Sequence, residues 1–228
     1  MFSKRIDMQD KHTILLVLKS GGDFNLLDVE LLAGKLKKLC DPVQIICLCD
    51  RVAPVTFQDF TIIQMEHNWS GWWSKMNLFS PALEHLRPFL YLDLDTAVIK
   101  SFDWPEYQGF IMLRDFYKTK SAASGMMWIP ARNDKISKIW NEWIKYSDQW
   151  MRKCRGDQNF ISLITDPDCF WQDIAEGIVS FKPNSHWRKE LDGTERIICF
   201  HGKPRIPVAA KTVEWVKNYV EHVTENHI

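Results

Sequence analysis

The sequence predicts an α/β fold in one domain, 1–228, with a central, mostly parallel sheet flanked by helices. Three observations predict it. The N-terminus reads strand, helix, strand at the spacing of a βαβ unit, which requires parallel pairing. The stretch Phe89-Leu90-Tyr91-Leu92 has no polar break, as in a strand buried on both faces. No internal repeat, low-complexity segment or linker divides the 228 residues, a length that suits one sizeable domain.

Taken in order, Thr13 to Leu18 is a compact apolar run and a first strand. Lys19-Ser20-Gly21-Gly22-Asp23 breaks it with a flexible, amide-rich loop. Val29, Leu32, Ala33, Leu36 and Leu39 recur at helical spacing. Asp41-Pro42 ends that helix, and Val43 to Cys49 is a second buried strand closing on Asp50. Phe60 to Met65 is a shorter third strand. The segment from Trp72 is helical until Pro81, and Lys75 is the one fixed cation in its aromatic surroundings. Its stem covers Trp with the head in water, or its head meets a phosphate.

Phe89-Leu90-Tyr91-Leu92-Asp93-Leu94-Asp95 then runs a buried strand into two acids. Alternate residues of an extended chain point the same way, so Asp93 and Asp95 can aim at one object. Two neighbouring carboxylates repel, and a hard divalent cation with oxygen ligands supplies the counter-charge. Ligands of open α/β sheets sit beyond the carboxyl ends of strands. The plain alternative is a pair of acids capping a turn. Phe110 to Leu113 is a strand closing on Arg114-Asp115. The small residues Ser121-Ala122-Ala123-Ser124-Gly125 form a loop or let a ligand approach the backbone. Met126 to Ile129 is another strand. Ile136, Ile139, Trp140, Trp143, Ile144 and Trp150 line one face of a long helix, its tryptophans read as core.

Gly156-Asp157-Gln158 opens a further helix, with Asp157 as ligand group or ordinary cap. Ile178 to Phe181 and Ile197 to Phe200 are late strands. The second delivers His201-Gly202-Lys203-Pro204, well placed to touch a metal-bound anion, although a lone His is commonly just a satisfied half-buried residue. Val213, Val216, Val220 and Val223 mark a C-terminal amphipathic helix.

Bulk composition narrows the function classes. Lys+Arg and Asp+Glu both number 29, so there is no global pull towards nucleic acid or anionic membrane. No apolar run approaches the ~20 residues of a membrane helix. Met1 to Lys11 is polar and lacks the pattern of a secretory signal. Six Cys without a CxxC pair read as reduced, structural thiols, which predicts a cytoplasmic protein. Eleven Trp supply core, and aromatic faces of that kind also suit sugar-binding walls. Arg152-Lys153-Cys154-Arg155 and Trp187-Arg188-Lys189 are local basic clusters.

These stretches, in this order, resemble a metal-dependent glycosyltransferase of the single-domain GT-A (Rossmann-like) type. They are similar to family-8 enzymes such as glycogenin and the lipopolysaccharide galactosyltransferases. The resemblance rests on Leu18-Lys19-Ser20-Gly21-Gly22, Lys75 in Trp73 to Phe79, Tyr91-Leu92-Asp93-Leu94-Asp95, Ser124-Gly125-Met126-Met127, Gly156-Asp157-Gln158 and Phe200-His201-Gly202-Lys203-Pro204. It implies that Asp93, Asp95 and His201 hold Mn2+ (or Mg2+), which binds the diphosphate of a nucleotide sugar, with UDP-sugar expected. Asp93 also reaches the ribose in such sites. Lys203 and the Gly202 amide would touch the diphosphate. Lys19, Ser20, Gly21 and Gly22, with Asp50, would line the nucleoside pocket, and Lys75 would lie near the phosphates or the sugar. Ser124, beside Gly125, would face the donor sugar together with Asp157 and Gln158. The run here ends Lys-Pro-Arg where the family has Lys-Pro-Trp, and His201 and Lys203 stand closer together.

The chemistry fits those residue types. Departure of a nucleoside diphosphate leaves negative charge on an oxygen, which a divalent cation and a lysine offset. Asp157 or Asp115 would orient the acceptor hydroxyl or take its proton. The family likeness suggests retention of configuration, where the leaving phosphate can take that proton instead. The expected acceptor is a saccharide or glycoconjugate, with 5-hydroxymethylcytosine in viral DNA as a further option. Two other readings stand beside this one. Leu92-Asp93-Leu94-Asp95-Thr96 also resembles the haloacid-dehalogenase phosphatase motif, though a βαβ unit precedes it here. A non-catalytic sugar-binding module is the other.

Overall fold

The computed structural model describes residues 12–224, apart from 41 and 52. The expectation for Met1 to Lys11 therefore lies outside the described residues, as do Asp41 and the side chain of Val223. The chain opens with β1 (His12–Leu18), α1 (Leu26–Cys40) and β2 (Val43–Cys49), the expected strand, helix and strand. β3 (Val55–Thr56), β4 (Thr61–Gln64) and two 3-10 segments, Gly71–Phe79 and Pro81–Leu86, follow. β5 (Phe89–Leu92) and β6 (Thr96–Val98) flank the acidic pair. Next come β7 (Ile111–Arg114), β8 (Ala122–Ile129), α2 (Asp134–Lys153) and α3 (Asp157–Ile164). The chain continues through β9 (Cys169–Phe170), α4 (Trp171–Ile174), β10 (Ile178–Ser180), β11 (Ile197–Cys199), α5 (Ile206–Ala209) and α6 (Glu214–Thr224).

The large sheet has the order β3-β4-β2-β1-β5-β8-β7-β9. β4, β2, β1 and β5 run parallel, so their carboxyl ends share one rim. β8 runs antiparallel to β5, with Leu92 opposite Met126, so the start of β8 meets the end of β5. The late strands β10 and β11 form where expected, but with β6, which was not expected, they make a separate small sheet. Three residues after the acidic pair carry too little alternation to show β6 by period. Asp93-Leu94-Asp95 is thus the crossing between two sheets. Cys199 on β11 lies opposite Thr96, and Phe200 N donates to Asp95 O at 2.9 Å.

Both faces of the large sheet are covered. Ile14, Leu16 and Leu18 of β1 face α1, whose Val29, Leu32, Ala33 and Leu36 are buried at helical spacing. Leu15 and Val17 face the other way, towards the first 3-10 segment, α2 and α3. A third cluster, including Phe181, Phe200, Val213 and Val216, joins the small sheet to α5 and α6. Trp143 and Trp171 are fully buried, and most of the tryptophans serve as core, as expected. Cys40, Cys47, Cys49, Cys154 and Cys199 are buried free thiols, and Cys169 is half-buried.

Three local expectations change. The segment from Gly71 is 3-10 rather than α-helical. Ser74 Oγ donates to Gly71 O at 2.7 Å, and the Asn77 carboxamide is bonded to both backbone groups of His67 and to Ser74 O. These local bonds compete with i→i+4 pairing and tighten the turns. The small residues from Ala122 belong to β8, because their pairing with β7 continues through a bulge at Met112/Leu113. Ile144 is exposed, whereas Ile136, Ile139, Trp140 and Trp143 are buried. α2 departs from helical geometry at Tyr146.

Candidate active site

The parallel strands deliver their connecting loops to one rim, and a cavity of about 650 Å³ opens there. Asp93 and Asp95 form part of its floor. Asp93 is held at three points. Its amide donates to Gly125 O at 2.8 Å, Tyr91 Oη donates to Oδ1, and Lys75 Nζ lies 2.9 Å from Oδ1 and 3.1 Å from Oδ2. A Cβ on Gly125 would come within 3.3 Å of Asp93 Oδ2, so the glycine lets β8 approach the acid.

Lys75 is the hub of this floor. Besides Asp93, it meets Ser124 Oγ at 3.4 Å and Asp157 Oδ2 at 3.5 Å. Burial opposes its charge, but Asp157 and then Asp93 outweigh burial and hold its pKa above the ordinary value. The head of Lys75 is thus turned into the cavity floor and not out into water. Asp157 is buried at the start of α3, and its Oδ2 has no hydrogen-bond partner. A buried acceptor of this kind costs free energy until something donates to it.

Asp95 faces a different cation. Arg205 Nη1 donates to its Oδ2, while Arg205 Nε reaches Asp23 Oδ2 at 3.2 Å and the guanidinium lies 4.7 Å from the Phe24 ring centroid. Burial, and then the Asp93 charge, push the Asp95 carboxyl up to about 6, although Arg205 and Lys75 pull it down. The two acids therefore share a cavity but each has its own cation.

His201 does not complete a ligand triad with them. Its Nε2 is 2.6 Å from Ser180 Oγ, and its ring stacks on Phe116 with Tyr117 edge-on. Burial, then Lys182, lower its pKa to about 4, so the ring is neutral at pH 7. Among the described residues no group of three His, Cys, Asp or Glu is placed to hold a metal. Cys199, His201 and Gly202 of that strand end all line the cavity; burial, then Asp95 and Asp93, keep the Cys199 thiol strongly protonated.

Other expected residues fall into two groups. Lys19, Gly22, Ser124, Gly125, Gln158 and Gly202 line the cavity. Asp50 instead fastens the loop, accepting from Lys19 Nζ, from Ser20 N at 2.8 Å and from Ser20 Oγ at 2.6 Å. Lys19, then Ser20, hold the Asp50 carboxyl down at about 2 against the effect of burial. Gly21 has φ +79° at the loop tip, a conformation that a side chain would strain. Lys203 is exposed; its carbonyl, like that of His201, accepts from Lys182 Nζ, at 2.8 and 2.6 Å. Asp115 accepts from the amides of Tyr117 and Lys118, both at 2.8 Å, and from Gln158 Nε2 at 3.2 Å. Against burial, these bonds hold its pKa below the ordinary carboxylate value.

Arg205, Tyr91, Asp23, Phe24 and Trp72 were not foreseen in the cavity. Trp72 is 57% exposed beside buried Trp73, and Gly156 packs against its ring. An aromatic run does carry a signal for sugar walls, yet adjacent tryptophans look alike until one is seen to face out. Of the titratable lining groups, Lys19, Lys75 and Arg205 stand against Asp23, Asp93, Asp95, Asp115 and Asp157. With His201 neutral, three positive charges against five negative ones leave a net charge of −2.

No family model matches the chain, and no curated protein matches it in sequence. Solved structures do match its fold. The glycosyltransferase GlyE of Streptococcus pneumoniae TIGR4 is similar over 92% of this chain and 60% of its own, with a TM-score of 0.64 and 12% identity. The bifunctional glycosyltransferase WbbM is similar over 95% of this chain and 50% of its own, with a TM-score of 0.62 and 8% identity. The chain thus has the mixed α/β fold of these structures and spans about half to three-fifths of their length.

Proposed function

We propose that the chain transfers a sugar from a nucleotide-sugar donor, with UDP-sugar the expected one, to an acceptor hydroxyl with retention of configuration. The observation that carries this reading is the cavity floor: two carboxylates at a sheet crossing, a buried lysine between Asp93 and Asp157, and a net charge of −2. A diphosphate is itself anionic, so added positive charge favours its entry into such a cavity. Hard divalent ions bind through one or two carboxylates plus substrate phosphates, a requirement that Asp93 and Asp95 meet without His201. Mn2+ or Mg2+ held by Asp93 and Asp95 supplies, when bound, positive charge against the charge that grows on the leaving oxygen.

The chain's own residues divide the remaining work. Lys75 and Arg205 are the cations that the cavity offers to the diphosphate. The Lys19–Gly22 loop, pinned by Asp50, lines the nucleoside side. Asp157 Oδ2, buried, paired with Lys75 at 3.5 Å but without a hydrogen bond, accepts from a hydroxyl of the donor sugar. Asp115 orients Gln158 rather than moving a proton. The bond from the anomeric carbon to the diphosphate oxygen breaks, and its electron pair leaves with the diphosphate. The acceptor oxygen bonds to the same carbon and its proton passes to a leaving phosphate oxygen. A saccharide or glycoconjugate is the first acceptor class, and hydroxymethylated DNA the second.

The test is a thermal-shift panel of nucleotide sugars with and without Mn2+ or Mg2+. At about 100 times Kd a ligand adds about 2.7 kcal/mol to native stability. For a chain of this size that raises Tm by roughly 5–11 °C. The shift should vanish with EDTA, and Asp95→Asn should abolish transfer while unfolding stays cooperative. Absence of a shift with every nucleotide sugar refutes the proposal. Sugar binding that survives chelation without turnover points to a binding module, and hydrolysis of simple phosphate esters points to phosphatase chemistry.

A further inference from the structure

A second cavity, about 880 Å³, lies against the first. Asp115, Tyr117, Asp157 and Gln158 line both. Glycosyl transfer requires the acceptor oxygen to sit about 3–3.5 Å from the donor's anomeric carbon. An acceptor in the second cavity reaches the donor across that shared wall. The other walls of this cavity have the opposite electrical character from the donor side. Lys118 and Lys120, from the connection between β7 and β8, face it together with Lys153, the last residue of α2, and Arg155, from the turn that follows. All four are exposed, and none forms an ion pair among the described residues. Lys153 Nζ lies 4.5 Å from the Trp150 ring centroid. Away from the shared wall, Asp166 is the one carboxylate of the lining. With the shared Asp115 and Asp157 counted as they were for the first cavity, four cations against three acids give +1, against −2 on the donor side.

We propose that this cavity takes the acceptor, and that the acceptor is an anionic saccharide carrying a phosphate or carboxylate near the hydroxyl that receives the sugar. This rests on the glycosyltransferase reading above. The volume suits a small-molecule ligand. A duplex would need an extended basic face to neutralise many phosphates, and a concave cleft in a chain of zero net charge does not provide one. Asn159 and Ser162 supply neutral hydrogen-bonding groups beside the cations.

The experiment measures binding and transfer with glucose 6-phosphate, glucuronic acid, glucose and a hydroxymethylcytosine oligonucleotide, each with UDP-sugar and Mn2+. The wild-type chain is compared with a Lys153→Gln/Arg155→Gln variant, whose changed side chains are exposed. The anionic sugars should bind at least tenfold more tightly than glucose. That preference should shrink in the variant and at high salt, while the UDP-dependent melting shift stays unchanged. Equal binding of charged and neutral sugars, or an unaltered preference in the variant, with the UDP-dependent shift intact, overturns the acceptor assignment alone. Preference for the oligonucleotide overturns it in favour of nucleic acid. Loss of the UDP-dependent shift in the wild-type chain removes the donor reading, and this inference with it.

Discussion

Replacing Lys75 with Met keeps most of the side-chain volume and removes the one charge shared by Asp93 and Asp157. The lysine side chain is 13% exposed, and the two carboxylate side chains are 26% and 6% exposed. Removing one partner of a buried pair costs about 3–5 kcal/mol because the other charge is left uncompensated. Asp93 is a quarter exposed and keeps its bond from Tyr91, so the lower end, about 3 kcal/mol at pH 7, is the expected loss. That lowers Tm by roughly 6–12 °C. The pH dependence identifies the cause. The folded pKa of Lys75 lies above its ordinary value of 10.5, so its contribution is fully present below pH 10.5 and fades as pH rises through the folded value. On the acid side, the gap between wild type and variant should close once pH is low enough to neutralise carboxylates. Urea melts at pH 7.5, 5, 4 and 3 measure it. A gap that stays constant over this range would mean that Lys75 acts through packing alone, and the account of the cavity floor would fail.

Three other outcomes follow from the same geometry. Burial and then the Asp93 charge push the Asp95 carboxyl up to about 6 from its ordinary 3.8, so the native state takes up a proton as pH falls towards that value and a cation must then compete with it. The melting shift given by Mn2+ and UDP-sugar should hold above pH 7 and correspond to about tenfold weaker binding by pH 5. A shift of equal size at pH 5 refutes the role of Asp95. Gly125→Ala brings a Cβ to 3.3 Å from Asp93 Oδ2, and kcat/KM should fall at least about tenfold with cooperative melting kept. Glu195 is 1% exposed; Arg188 Nη1 meets it at 2.6 Å, and the amides of Asp192 and Gly193 at 3.2 and 3.0 Å. Arg188→Leu should cost about 3 kcal/mol in a urea melt, and adding Glu195→Leu should recover part of it.

Much of this architecture was legible before any coordinates. β1, β2 and β5 announce themselves because strands buried on both faces leave unbroken apolar runs, and α1 because its buried residues repeat every third or fourth position. The acidic pair stands out because it ends such a strand. The tightened Gly71–Phe79 segment was not legible, since its bonds to His67 span ten residues. The partners of His201 were not legible for a related reason. A strand ending in His-Gly-Lys looks like an anion site, but only packing shows the ring between Phe116 and Tyr117 with its nitrogen spent on Ser180.

The nearness of Lys75, Ser124, Gly125, Asp157 and Gln158 to the acids was implied only by the family resemblance; by itself the sequence determined the parallel N-terminal sheet and the strand that carries Asp93 and Asp95. These depend on local periodicity and on which residue types end a buried strand. Tertiary structure alone decided which cation meets which acid. Arg205 is 110 positions from Asp95, and they meet because β11 pairs with β6 directly after the acidic pair. Charge pairing depends on distance in space, which the order of residues along the chain does not encode until the sheets have formed.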